Sequence, residues 1–221
     1  MLPPTEMSRN EMYPNRKVIA ARTSIPTFAD RGFAPYNLTM GLTIAKGVPN
    51  ICKVDLKLLG KISEARASST DGLEVNHHYG DLRGCTLEEL SEVLEFETSG
   101  FDALEREGFS DEAIEELDEE WIESFLLPGI DFGVASAVAA LSALGCVPIT
   151  SCRGKSLSDG HSHDAPTVCF YCEEAIVPLV VRFAEASGVS VENNSDMLEL
   201  YTADVRLMPA FAREVALHLS H

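Results

Sequence analysis

Thiol and imidazole, the side chains best suited to hold a transition metal or to attack an electrophile, crowd one part of this chain. Cys152, Arg153, Gly154, His161, His163, Asp164, Cys169 and Cys172 fall within 21 residues. Cys152 closes a strand-like run, Cys146-Val-Pro-Ile-Thr-Ser-Cys152, and opens a polar loop that carries Gly154 and Gly160. Two chemistries fit this pattern. Cys152 with His161 and His163 would bind a zinc-like divalent metal, because thiolate and neutral imidazole are its preferred ligands. Alternatively Cys152 is a nucleophile, its thiolate favoured by Arg153, Lys155 or a nearby His, with Asp164 orienting the imidazole. Arg153 would then lower the thiol pKa or bind an anion. Both versions require the loop from 153 to 166 to fold back on Cys152. If it does not, Gly160-His-Ser-His-Asp is simply a polar turn.

Cys169 and Cys172 have the spacing of a metal knuckle, but they lie in Thr167-Val-Cys-Phe-Tyr-Cys172, which reads as a strand. Residues three apart on a strand point to opposite faces, so the two cannot share an ion, and at least one should pack in the core. His77-His78 reads as a solvated loop pair, and His218 and His221 suggest no site. No Walker loop, dinucleotide-binding glycine motif, nucleophile elbow or His-Glu-x-x-His is present.

Thr150-Ser151-Cys152-Arg153-Gly154, ending a strand that follows a helix, is similar to the Ser-Cys-Ser-Gly region of the wybutosine-synthesis tRNA methyltransferases of the third-step type. The succession of elements after it is loosely similar to that family up to the end of the chain. The resemblance concerns architecture, because the basic residues of a tRNA enzyme are missing here.

Charge supplies the second candidate. The net charge is −18, and residues 86–123 alone hold 16 acids against one base. So negative a chain repels phosphate backbones, which argues against direct nucleic-acid binding and suits a basic protein partner. Ser110-Asp-Glu opens an amphipathic helix with Ile114, Leu117, Trp121 and Phe125 on one stripe and an acidic face opposite. A docking surface here would use Glu115, Glu116 and Glu119 for steering and Trp121 as an apolar anchor. The expected function on this reading is an interaction protein that restrains a basic macromolecule, like an inhibitor, antitoxin or immunity protein. The alternative is a metal- or thiol-dependent enzyme at Cys152, His161 and His163. Without a membrane-length apolar run or a secretory signal, a cytoplasmic chain with free thiols is expected.

The elements that must position these groups are legible in outline. Prolines punctuate residues 1–36, which read as an arm. Residues 37–127 read as a mainly helical acidic region, with helices over about 50–67, 86–96 and 110–125. Pro128-Gly129 marks a boundary. Residues 128–221 show the order α-β-β-α-β-β-α, with Asn193-Asn194-Ser195-Asp196 as a hairpin turn. The expectation is an α+β fold whose C-terminal domain holds a four-stranded, mainly antiparallel sheet with helices against one face.

Overall fold

The computed structural model describes residues 41–68, 81–125, 130–158 and 160–221. The expected arm over residues 1–36, the His77-His78 pair and the Pro128-Gly129 boundary lie outside the described residues. The element order is β1 (Cys52–Lys53), α1 (Glu64–Ala67), α2 (Leu87–Arg106), α3 (Asp111–Ser124), α4 (Ala135–Ala143), β2 (Val147–Cys152), β3 (Thr167–Tyr171), α5 (Val177–Ser187), β4 (Ser190–Asn194), β5 (Met197–Tyr201) and α6 (Leu207–Leu219). The class is α+β.

The sheet has five strands in the order β1-β4-β5-β3-β2, and it is mixed rather than four-stranded. β2, β3, β5 and β4 pair antiparallel as expected, while β1 runs parallel to β4 at the edge. β1 comes from the segment whose apolar spacing predicts a helix. Of that stripe only Leu58 is exposed, at 54%; Val54 and Leu59 pack on the main core and Ile62 on the cluster across the sheet, but not from one helical face. The backbone instead finds partners along β4. Val191 N donates to Ile51 O, Ile51 N to Ser190 Oγ and Asp55 N to Asn193 Oδ1. Gly60 then lies bare against the Asp196 side chain, where a Cβ would collide. Sheet-edge hydrogen bonds outweigh the helical period.

α2 also departs from expectation, running ten residues past Phe96 to Arg106. Its start is as the sequence predicts: Thr86 and Glu89 form a reciprocal capping box. Gly100 does not break the helix, because the Phe132 ring packs on its bare Cα; a Cβ would come within 2.9 Å of that ring.

Alternation along the strands divides the apolar residues between two faces. Val168, Phe170, Val191, Leu198 and Leu200 face the helices and join the main core. On the other face Val147, Ile149 and Tyr171 form a smaller cluster with Ala67, closed by Ile62 and Met197. α4 is buried over eight of its nine residues, which is why its sequence is apolar on every side. α2 and α3 bury Leu90, Val93, Leu104, Ile114, Leu117 and Trp121 in the same core as α4 and α6. The acidic helices are therefore packed against the C-terminal elements. No helix among the described residues is long and apolar enough to cross a membrane.

Candidate metal centre

β2 ends at Cys152 because Arg153 takes a right-handed conformation and Gly154 a left-handed one, φ +62°, turning the chain into a short 3-10 turn. Gly154 is required there twice over: any Cβ would also run into the backbone of Ala165. That contact fastens the far end of the 153–166 loop beneath its start. The loop thus folds back, and His161 arrives beside Cys152 with Nδ1 3.5 Å from Sγ.

Asp131, just ahead of α4, completes the cluster. Its Oδ2 lies 3.4 Å from His161 Nδ1 and accepts a hydrogen bond from Arg153 N at 3.1 Å. One ligand atom from each of Asp131, Cys152 and His161 lies within 4.8 Å of the other two. Both separations from His161 Nδ1, 3.5 Å to sulfur and 3.4 Å to oxygen, match tetrahedral coordination. Zinc bonds of about 2.3 Å to sulfur and about 2.0–2.2 Å to nitrogen and oxygen place sulfur and nitrogen roughly 3.6 Å apart, and nitrogen and oxygen roughly 3.4 Å apart. Three protein ligands of this kind leave a fourth position open.

Burial sets the protonation states. It pushes the Cys152 thiol above its ordinary range, helped by the Asp131 charge and opposed by the Gly154 N–H, which donates to Sγ at 3.3 Å. Burial also lowers the His161 pKa, against the pull of Asp131. At neutral pH the pair is therefore thiol and neutral imidazole rather than thiolate and imidazolium.

Arg153 is 5% exposed. Burial opposes its charge, but a bidentate pair with Asp118 of α3 overrides it: Nη1 donates to Oδ1 at 2.5 Å and Nη2 to Oδ2 at 2.7 Å. Nη2 also reaches Ser158 Oγ, and Nε donates to His161 Nε2 at 3.2 Å. The guanidinium is thus a strut between α3 and the His161 ring. Nε, Nη1 and Nη2 all donate within the fold. Because Nε2 accepts from Arg153, the imidazole proton sits on Nδ1, pointing at Cys152 and Asp131.

The other predicted residues fall elsewhere. His163 is exposed and its Nδ1 bonds Ser162 Oγ. It is not among the three clustered ligands, although the sequence pairs it with His161. Asp164 pairs with Lys155 at 2.6 Å on the surface, its side chain 85% exposed. The orienting carboxylate expected there is Asp131 instead. Cys169 faces Asn194 on the sheet's second face, while Cys172 Sγ lies 3.5 Å from Cys146 Sγ in the core, so the two do not converge.

Trp121 is 4% exposed, stacked on Phe125 and packed near Phe96 and Phe132, with Nε1 donating to Ile130 O. The apolar anchor expected of a docking face is inside the fold. Glu115, Glu116 and Glu119 are exposed. Asp118 and Asp131 are the site residues that sequence reasoning missed. Asp131 left a trace, a lone acid between Ile130 and Phe132 ahead of an all-apolar helix. Asp118 left none, standing in a run of acids.

The chain matches no family model, no curated protein and no solved structure.

Proposed function

We propose that the chain is a metal-dependent enzyme whose centre is held by Asp131, Cys152 and His161. The observation that carries this reading is the spacing of three unlike ligand atoms from three separate segments, where burial keeps thiol and imidazole uncharged. Neutral imidazole is the ligating form, and a divalent cation displaces the thiol proton on binding. Such an ion would supply a water of lowered pKa and a Lewis acid for a carbonyl or phosphoryl oxygen, which points to hydrolysis or hydration. The chain's own residues prepare the place. Asp131 and His161 orient one another, Gly154 N–H holds the sulfur, and the Asp118–Arg153 pair ties the start of the loop to α3. A ligand role for Nδ1 would put the imidazole proton on Nε2, where Arg153 Nε–H now donates, so this contact would have to give way.

That same contact favours a second reading. In metal-free protein, Nδ1–H and the Gly154 N–H both aim donors at Sγ, an arrangement that supports a thiolate nucleophile. One experiment separates the two. Dialysis against zinc followed by elemental analysis should give one ion per chain on the metal reading, and cobalt loading should give a thiolate charge-transfer band that Cys152→Ser abolishes. Absence of stoichiometric metal, with rapid Cys152 alkylation by iodoacetamide, would favour the thiol reading.

The basic-partner reading retains Glu115, Glu116 and Glu119 as an exposed charged face but has no tryptophan anchor, so contact there would rest on charge. Binding of a basic protein that falls steeply with salt and weakens on reversal of those three acids would support it.

A further inference from the structure

Cys146 and Cys172 lie at the end of β2 and β3 away from the 153–166 loop. Val147 pairs with Tyr171 across the two strands, so these cysteines, one step further out, come opposite one another. Opposite residues of an antiparallel pair have Cα atoms about 4.5–5.5 Å apart, inside the range of about 4.4–6.8 Å that a disulfide spans. Both cysteines belong to the main core, and the Cys146 thiol donates to Cys172 Sγ at 3.5 Å. Closing that gap to the roughly 2.05 Å of a sulfur–sulfur bond takes a small rotation of each side chain. The two differ in access. Cys146 is 1% exposed and Cys172 8%, and Cys172 lines a cavity of about 490 Å³ together with Gly145, Val147 and Tyr171. The hydrogen bond to Cys172 and burial hold the Cys146 thiol well above its ordinary range, so Cys146 is the partner that keeps its proton.

We infer that Cys146 and Cys172 are a reversible redox pair, oxidised by hydrogen peroxide to a disulfide that closes residues 147–171 into a ring. Cys172, the more accessible sulfur, reacts first. Its thiolate attacks one peroxide oxygen, the O–O bond breaks, and the departing hydroxide takes up a proton, leaving water and a sulfenic acid on Cys172. The Cys146 sulfur then attacks Cys172 Sγ. The S–S bond forms, the S–O bond breaks, and the hydroxyl leaves as water with the Cys146 proton. Two thiols and one peroxide thus become one disulfide and two waters. Burial slows the first step, but contact between the sulfurs makes the second one intramolecular, and it outruns further oxidation to sulfinic acid. The ring carries Cys152 and His161, so the bond would staple the hairpin from which the proposed metal centre hangs. The inference does not depend on a metal binding there.

The test is a peptide map of the full chain carrying Cys152→Ser, which removes the metal-centre thiol and keeps this readout separate from the fate of that centre. The protein is treated with hydrogen peroxide, its remaining thiols are alkylated, and it is digested with trypsin. Trypsin places Cys146 and Cys172 on different peptides, 107–153 and 156–182. These should appear joined, short by two hydrogens, and should separate on treatment with dithiothreitol. The link should survive Cys169→Ala, which leaves Cys172 as the one cysteine of its peptide, and should vanish in Cys172→Ala. Oxidation should raise the melting temperature by about 5 °C or more, reversed by reduction, because the bond constrains the unfolded chain. Should Cys172→Ala fail to fold, the map of Cys169→Ala decides. Unlinked peptides, a link lost in Cys169→Ala, or Cys172 carried to sulfinic acid while Cys146 is still alkylated would overturn the inference. So would a link that leaves the melting temperature unchanged or lowers it.

Discussion

Asp118, in the middle of the acidic helix α3, grips the buried guanidinium of Arg153 through both carboxylate oxygens, and Arg153 in turn hydrogen-bonds the His161 ring. The run of acids and the cysteine–histidine loop therefore meet at one residue pair. Only one acid of that run is committed to the site; its neighbours Glu115, Glu116 and Glu119 remain in solvent.

Removing Asp118 leaves a buried cation uncompensated. Asp118→Ala is expected to destabilise the chain by about 3 kcal/mol, the low end for breaking such a pair, since Asp118 itself is partly exposed. Glu116→Ala, two positions away and in solvent, should change stability by less than about 0.5 kcal/mol. Urea denaturation of the two variants tests the contrast.

Glu97 gives the fold a pH dependence. It is fully buried and accepts hydrogen bonds from the amides of Gly133, Ala135 and Ser136. Desolvation outweighs those donors and raises its pKa from 4.5 to about 7. The folded state therefore holds this proton more tightly than the unfolded one. The stabilisation is complete below about pH 4.5 and is lost as pH rises through about 7, by up to roughly 3 kcal/mol. Glu97→Gln should flatten that part of the stability–pH curve in thermal melts; an unchanged slope would assign it to other groups.

Trp121→Ala should cost about 3–5 kcal/mol as a core deletion, whereas Ile122→Ala, at a side chain 42% exposed, should be nearly silent. Equal small effects on folding would return Trp121 to the surface role that the sequence suggests.

Gly154→Ala tests whether the loop closes as described. The new Cβ would meet Ala165 at 2.5 Å in a backbone conformation that disfavours side chains, so the loop must move. Zinc affinity should fall at least about tenfold, as when a supporting contact around a metal is lost, while the helical circular dichroism stays near native.

Much of this architecture is legible in the letters, and the failures have physical causes. The capping box at Thr86 and Glu89, the left-handed Gly188 closing α5 and the Ser195-Asp196 turn are local devices, so local sequence reveals them. β1 is not local: its partners lie some 140 positions away on β4, and its apolar spacing imitates a helix. The length of α2 depended on an aromatic ring landing on Gly100. At the site, Cys152 and His161 are close in sequence and on opposite sides of a glycine-bearing loop, which is enough to suspect a meeting. Asp131 reaches them only through tertiary packing from ahead of α4. His163 and Asp164, two and three residues beyond His161, turn toward solvent.

The metal centre stands or falls on stoichiometry. Elemental analysis of the full chain after zinc loading and exhaustive dialysis should return one ion per chain in the native protein, and at most a small fraction in Asp131→Ala, Cys152→Ser and His161→Gln. His163→Gln should load normally. No retained metal in the native chain, or equal retention in all four variants, would contradict a centre built from Asp131, Cys152 and His161.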